Sequence, residues 1–258
     1  MAAGAAVLLA GACTGDEGQP APEPEQQSTP DDPSETADAT PGEETGTGKP
    51  GDAPVSEASG EPDSIHVLVN KAEPLDPLDY EPEDLTGVDI PQRYGGQQMR
   101  EEPAGALEEL FAAAAQEDLE LEVTTAYRDY AHQQALYDSR YAEQGQEATD
   151  ELTARPGHSE HQTGLAVDLS FPGNEDCYLS TCFGETEQGQ WLGERAWEFG
   201  FIIRYPEGAE ETTGFDYEPW HLRYVGEETA EAVVEEGTTL EEYWDQSAAP
   251  EYETDYDG

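Results

Sequence analysis

Four side chains in this sequence have the types and spacing of a hydrolytic metal site. The run Ser159-Glu160-His161-Gln162-Thr163-Gly164-Leu165-Ala166-Val167-Asp168 carries one imidazole and one carboxylate. Glu218-Pro219-Trp220-His221 adds a second imidazole and a second carboxylate. His161, Asp168 and His221 suit one zinc ion, and three protein ligands leave a fourth position for water, the mark of catalytic rather than structural zinc. Cobalt or manganese would accept similar donors. Zinc brings the pKa of a bound water to about 7. Glu218, three residues before His221, is placed to take a proton from that water and deliver it to a leaving amine. Gly164 and Ala166 keep the chain between His161 and Asp168 slim enough to pass close to a metal. His221 is remote in sequence, so the tertiary fold must bring it in.

The elements that must do this begin near Asp63. Ile65–Asn70 reads as a strand and Pro74–Tyr80 as a loop. Pro103 at a helix start, then Ala106–Gln116 with Leu107, Leu110, Phe111 and Ala114 on one face, predicts a helix. Leu119–Thr125 alternates as a strand, and Tyr130–Glu143 reads as a second helix. Leu165–Phe171 is a strand carrying Asp168. Gln190–Phe199 is expected to be helical, with Phe201–Tyr205 and His221–Val225 as strands. Glu227–Glu235 and Leu240–Trp244 have helical pattern. Without regular strand–helix alternation, the class is α+β: a single compact domain with a central antiparallel sheet flanked by helices.

Composition bounds the partners. Sixty acidic against ten basic residues give a formal net charge of -50. Such a surface repels nucleic acid and anionic lipid. The acids are dense throughout the folded part, so adaptation to high salt, which screens self-repulsion, is expected. Residues 1–13 read as an export signal. The apolar run Ala2–Ala12 is too short to span a bilayer, and Leu8–Cys13 is similar to a bacterial lipobox with Cys13 as the lipidated residue. A plain secretory signal is the alternative, since no basic residue precedes the apolar run. Residues 14–62 form an acidic, proline-rich linker without an aromatic residue, expected to stay disordered and to reach on the order of 40 Å. Residues 63–246 are the folded part, and 247–258 an acidic tail. Cys177 and Cys182 are expected to form a small disulfide loop in an exported domain. No apolar stripe is left over, so a monomer is expected.

Ser159-x-His161-x-x-Gly164-x-Ala166-x-Asp168 with Glu218-x-x-His221 resembles the zinc D-alanyl-D-alanine carboxypeptidases of the VanY type. That group is related to VanX-type dipeptidases and shares its metal-binding fold with the Hedgehog signalling domain. Leu68-Val69-Asn70-Lys71, Leu75-Asp76-Pro77 and Tyr80-x-Pro82-x-Asp84-Leu85 are similar to the family's N-terminal segment. Thr125-Ala126-Tyr127-Arg128-Asp129-Tyr130 with Gln133 and Leu136-Tyr137 is similar to its S-x-Y-R-S-x-x-x-Q region, with Thr125, Ala126 and Asp129 as departures. The resemblance covers about Ile65 to Trp244.

It implies that His161, Asp168 and His221 bind zinc, that Glu218 is the general base, and that Arg128 stabilises the tetrahedral oxyanion. A guanidinium stays charged and can aim two donors at developing negative charge; a structural ion pair is the alternative for Arg128. Ser159 and Gln133 are candidates for contacting the peptide. His158 is expected behind the ligands or facing solvent rather than on the metal, His66 and His132 to be structural, and Trp220 to shield the metal. The implied substrate is a peptidoglycan stem peptide ending in D-Ala-D-Ala, at the outer face of the cytoplasmic membrane or in the cell wall. A wall endopeptidase, for example of the L-Ala-D-Glu type, and a zinc-stabilised wall-binding module are the competing readings. Glu218 argues against the last, because a binder needs no base.

Overall fold

A computed structural model describes residues 60–256. The expected export signal with Cys13, and residues 14–59 of the expected linker, lie outside the described residues. The order of elements is β1 (Leu85–Gly87), β2 (Gln98–Arg100), α1 (Glu101–Gln116), β3 (Glu122–Thr125), α2 (Tyr130–Gln144), α3 (Gln146–Asp150), β4 (Ala166–Ser170), α4 (Glu187–Arg195), β5 (Phe201–Ile203), α5 (Glu210–Thr213), β6 (His221–Tyr224), α6 (Glu227–Glu236) and α7 (Leu240–Tyr243). Short 3₁₀ turns cover Glu160–Thr163, Thr181–Glu185 and Ala196–Phe199.

The main sheet is antiparallel with strand order β3-β4-β6-β5. β4 and β6 occupy its middle and are buried along their whole length. Because side chains alternate along a strand, Val167 and Leu169 of β4 and Leu222 and Tyr224 of β6 enter the core. Asp168, His221 and Arg223 are carried on the intervening positions. Helix α1 covers the core with Leu107, Leu110, Phe111 and Ala114, the three-and-four spacing of an amphipathic helix. Each such large apolar side chain contributes roughly 1.5–3 kcal/mol on full burial. A second cluster joins Leu68, Ile202 and Val225 to Ala230 and Val233 of α6 and to Leu240 and Trp244.

The α+β expectation holds, and most expected elements appear with ends shifted by one to three residues. α1 starts two residues ahead of Pro103, and the expected helix over Gln190–Phe199 begins at Glu187 and ends as a 3₁₀ turn. Two expectations need correction. Ile65–Asn70 is not a strand. Its alternation is real, since Val67 and Val69 enter the main core and Leu68 the second cluster. Its backbone, however, is paired with a side chain: the carbonyls of Ile65 and Val67 accept from Arg223 Nη2 at 3.1 and 2.6 Å.

The second correction concerns residues 247–256, which pack onto the domain instead of forming an acidic tail. Ala249 is buried and its N–H donates to the Thr212 carbonyl. Arg155 stacks over the Tyr252 ring at 3.9 Å and donates to the Thr254 carbonyl, while Tyr256 meets Tyr137 with ring centroids 4.5 Å apart. The aromatics hold the segment down and Glu251 and Glu253 face solvent. The hairpin β1–β2 was not expected: its three-residue strands show no alternation. No described helix is long and apolar enough to cross a membrane. Cys177 and Cys182 form the expected disulfide.

Candidate metal centre

Two adjacent strands and one tight turn assemble the site. Asp168 of β4 stands directly opposite His221 of β6 in the antiparallel register. His161 sits on the 3₁₀ turn Glu160–Thr163, which ends at Gly164 with φ of +69°. That left-handed conformation is costly for residues with a Cβ. A Cβ there would also lie 3.0 Å from Arg100 Cγ and Leu85 Cδ2 of the β1–β2 hairpin. Only glycine therefore lets the chain turn sharply from His161 into β4 under that hairpin. Gln162 staples the turn to the preceding loop, donating to the Leu78 and Tyr80 carbonyls. Glu218 reaches the site through a turn closed by the His221 N–H to the Glu218 carbonyl at 3.0 Å.

The three expected ligands converge. His161 Nε2 is 3.3 Å from Asp168 Oδ2, and His221 Nδ1 is 3.0 Å from Asp168 Oδ1. One ligand atom from each residue lies within 4.8 Å of the others, and all three residues are buried. His161 Nδ1 is 2.8 Å from the Ala126 carbonyl. A carbonyl only accepts, so Nδ1 holds the proton and Nε2 presents its lone pair inward. Two imidazole nitrogens and a carboxylate around one point fit zinc.

Electrostatics sharpens the division of roles. Burial opposes ionisation of Asp168, yet His161 and His221 hold it well below the usual carboxylate range. Burial disfavours a charged His221, but the neighbouring carboxylates of Asp168, Glu160 and Glu218 win and lift it to about 9. Burial lowers His161. Glu218, 3.8 Å from His221 Nδ1, is raised to about 7 by burial, with the charge of Asp168 adding and His221 opposing. One carboxylate stays ionised and the other is poised to exchange a proton near neutral pH.

Arg128 is held over this group by its backbone N–H to the His161 carbonyl at 3.1 Å. Its Nε donates to Gln133 Oε1 at 2.5 Å. Among the described residues no carboxylate lies within ion-pair distance of its guanidinium, so the structural ion pair is not what holds it. Gln133 is completely buried, and its amide nitrogen donates to the Ala154 carbonyl. Both polar groups of the Gln133 amide are thus engaged within the protein, one of them by Arg128. The Ser159 hydroxyl makes no hydrogen bond among the described residues.

The other histidines stand apart. His158 meets the Asn70 carbonyl and the Tyr252 ring. His66 meets the Val225 carbonyl, and exposed His132 pairs with Asp129. Trp220 packs against the main core.

One feature of the site was missed at the level of sequence: a buried ionic cluster beneath His221. Glu160 Oε1 accepts from Arg204 Nε at 2.8 Å and Arg223 Nη1 at 2.7 Å. Arg204 also forks onto Glu241 at 3.0 and 2.6 Å, and Asn70 donates to Glu241. Among sixty acidic residues, nothing in the sequence marks Glu160 and Glu241 as the buried ones.

Known proteins share this arrangement of chain. Residues 96–227 match the VanY family, D-alanyl-D-alanine carboxypeptidase. The chain is 36% identical over 183 residues to the bifunctional D-Ala-D-Ala dipeptidase and carboxypeptidase VanXYC of Enterococcus gallinarum, which spans 70% of this chain and 94% of that one. Among solved structures it is similar to the LdcB LD-carboxypeptidase, with 41% identity, a TM-score of 0.67, and 72% of this chain and 88% of that chain covered. It is also similar to a VanY D,D-pentapeptidase solved with Zn(II), at 35% identity and a TM-score of 0.55, covering 69% and 97%.

Proposed function

Because this chain belongs to the VanY D-alanyl-D-alanine carboxypeptidase family, we propose that it binds one zinc ion and removes the terminal D-Ala from peptidoglycan stem peptides ending in D-Ala-D-Ala. The observation that carries this reading is the convergence of His161, Asp168 and His221 with Glu218 beside them. A bound zinc ion would act as a Lewis acid on the scissile carbonyl and acidify a water. Glu218 takes the proton of the attacking water and passes it to the departing amine of D-Ala. Arg128, fixed by Gln133, directs its remaining guanidinium donors at the carbonyl oxygen as that oxygen gains charge. The uncommitted Ser159 hydroxyl offers a hydrogen bond to the peptide backbone.

A second reading keeps this chemistry and moves the bond: an L,D-carboxypeptidase acting on a stem peptide that ends in a single D-Ala. The 41% identity to LdcB supports it. The test is D-Ala release by the zinc-loaded chain in molar salt, from a peptide ending in Lys-D-Ala-D-Ala and from one ending in Lys-D-Ala, beside Glu218→Gln. Release of D-Ala from the first peptide, lost in Glu218→Gln, is the expected result. Release from the second alone shifts the assignment to the L,D reading. No release from either by a folded, zinc-loaded protein sinks the carboxypeptidase reading and leaves internal wall cleavage or binding. Export, anchoring through a lipid on Cys13, a monomeric state and adaptation to salt complete the proposal. Its support is the lipobox-like run Leu8–Cys13 and the net charge of -50.

A further inference from the structure

Two buried polar atoms without a hydrogen-bond partner face one another beneath the metal centre. Glu160 Oε2 and His221 Nε2 are both sealed from solvent and both unpartnered among the described residues. They stand 3.5 Å apart. A buried polar atom left unpaired costs roughly 1–3 kcal/mol, more when charged, so two such atoms at this distance constitute one interaction slightly open in its geometry. The rest of the surroundings leaves no other assignment. Glu160 Oε1 is used by Arg204 and Arg223, and His221 Nδ1 faces Asp168.

We propose that Glu160 is a positioning residue for the metal: its Oε2 accepts the proton on His221 Nε2 and thereby fixes the tautomer in which Nδ1 is the ligand atom. Glu160 and His161 are neighbours on one 3₁₀ turn, yet they serve opposite sides of the site. His161 supplies a nitrogen to the metal, and Glu160 faces the other ring nitrogen of the ligand from β6. The His161 ring is held in the same manner by the Ala126 carbonyl, so both imidazoles have an acceptor on the nitrogen turned away from the metal. The two arginines make the arrangement possible. Glu160 and Glu241 against Arg204 and Arg223 sum to zero charge, all with fully buried side chains, so Glu160 keeps its charge where an isolated carboxylate would not. Ring orientation and ligand basicity are what such outer partners control, and losing one typically weakens metal binding 10–100-fold.

This inference rests on the proposed zinc site, and the experiment separates the two. Apo protein is titrated with zinc against a chromogenic chelator for wild type, Glu160→Gln and Glu241→Gln, with thermal melts of each. A glutamine amide can keep its oxygen on the arginines only by turning its NH₂ toward His221 Nε2, which opposes the required tautomer. Glu241→Gln breaks the same ionic cluster without touching His221. The expected result is comparable loss of melting temperature in both variants, with zinc affinity 10–100-fold weaker only in Glu160→Gln. Equal zinc affinity in the two variants overturns the proposal. Absence of zinc binding by the wild type overturns the metal site itself, and this proposal with it. Should Glu160→Gln fail to fold, the ¹⁵N spectrum of zinc-loaded wild type decides. A slowly exchanging N–H on His221 Nε2 is expected, and a proton on Nδ1 overturns the proposal.

Discussion

Replacing Gln133 with leucine removes both hydrogen bonds of a buried amide while nearly keeping its volume. The amide accepts from Arg128 Nε and donates to the Ala154 carbonyl, each at 2.5 Å. A hydrogen bond to a charged group contributes about 1.5–3 kcal/mol, and an unpaired buried carbonyl costs about 1–3. The variant should therefore lose about 2.5–6 kcal/mol, or roughly 5–24 °C in melting temperature for a domain of this size. The same Arg128–Gln133 bond keeps the guanidinium aimed. If about 1.5–3 kcal/mol of orientation is lost, kcat falls about 10- to 100-fold, with KM changed only a few-fold. Arg128→Ala, which deletes the oxyanion donor, should cost about 10²–10³ in kcat.

The decisive assay is kcat/KM for D-Ala release, below the melting temperatures and at saturating zinc, for both single variants and the double. If Gln133 acts through Arg128, the double variant matches Arg128→Ala within about twofold, because the second change removes support from a group already absent. A double variant whose loss equals the product of the single losses would refute the reasoning and return Gln133 to direct contact with the peptide.

Three further outcomes are expected. Glu241 is buried, which alone would raise its pKa, but Arg204 and Asn70 hold it below its ordinary value of 4.5. A depressed pKa contributes stability that is complete above that ordinary value and lost as pH falls through the folded one. Wild-type melting temperature should therefore drop more steeply than that of Glu241→Gln below about pH 4.5; parallel curves would contradict the ion pairing. Gly164→Ala forces a Cβ into a left-handed turn and against the hairpin. It should cost at least about 1–2 kcal/mol and weaken zinc binding by displacing His161, and an unchanged melt would exclude the strain. Deleting residues 248–258 removes the Tyr252 and Tyr256 contacts with Arg155 and Tyr137. A lower melting temperature is expected, and an unchanged one would show that the segment is a free tail.

Much of the site is legible in the chain because metal ligation restricts residue type and local spacing. Gly164 and Asp168 follow His161 at distances that one turn and one strand must satisfy, and Glu218 precedes His221 by a turn that positions both. The amphipathic spacing of α1 is likewise local, since burial on one face imposes it. The short hairpin β1–β2 left no such trace, being held by packing over Gly164 rather than by its own pattern. Ile65–Asn70 alternates like a strand, but alternation reports which faces are buried and not what the backbone pairs with; here Arg223 takes that place.

What the sequence by itself determined about this protein is the family and the identity of the candidate ligands and base, because those depend on side-chain chemistry at fixed separations. Only the tertiary structure decided that Gln133 braces Arg128 and that the C-terminal segment is packed. It also selected Glu160, out of sixty acidic residues, as the one beneath His221. A charged residue shows its role only through what surrounds it. Here the surroundings come from Arg204 just after β5, from β6 and from α7, distant in the chain and joined by burial.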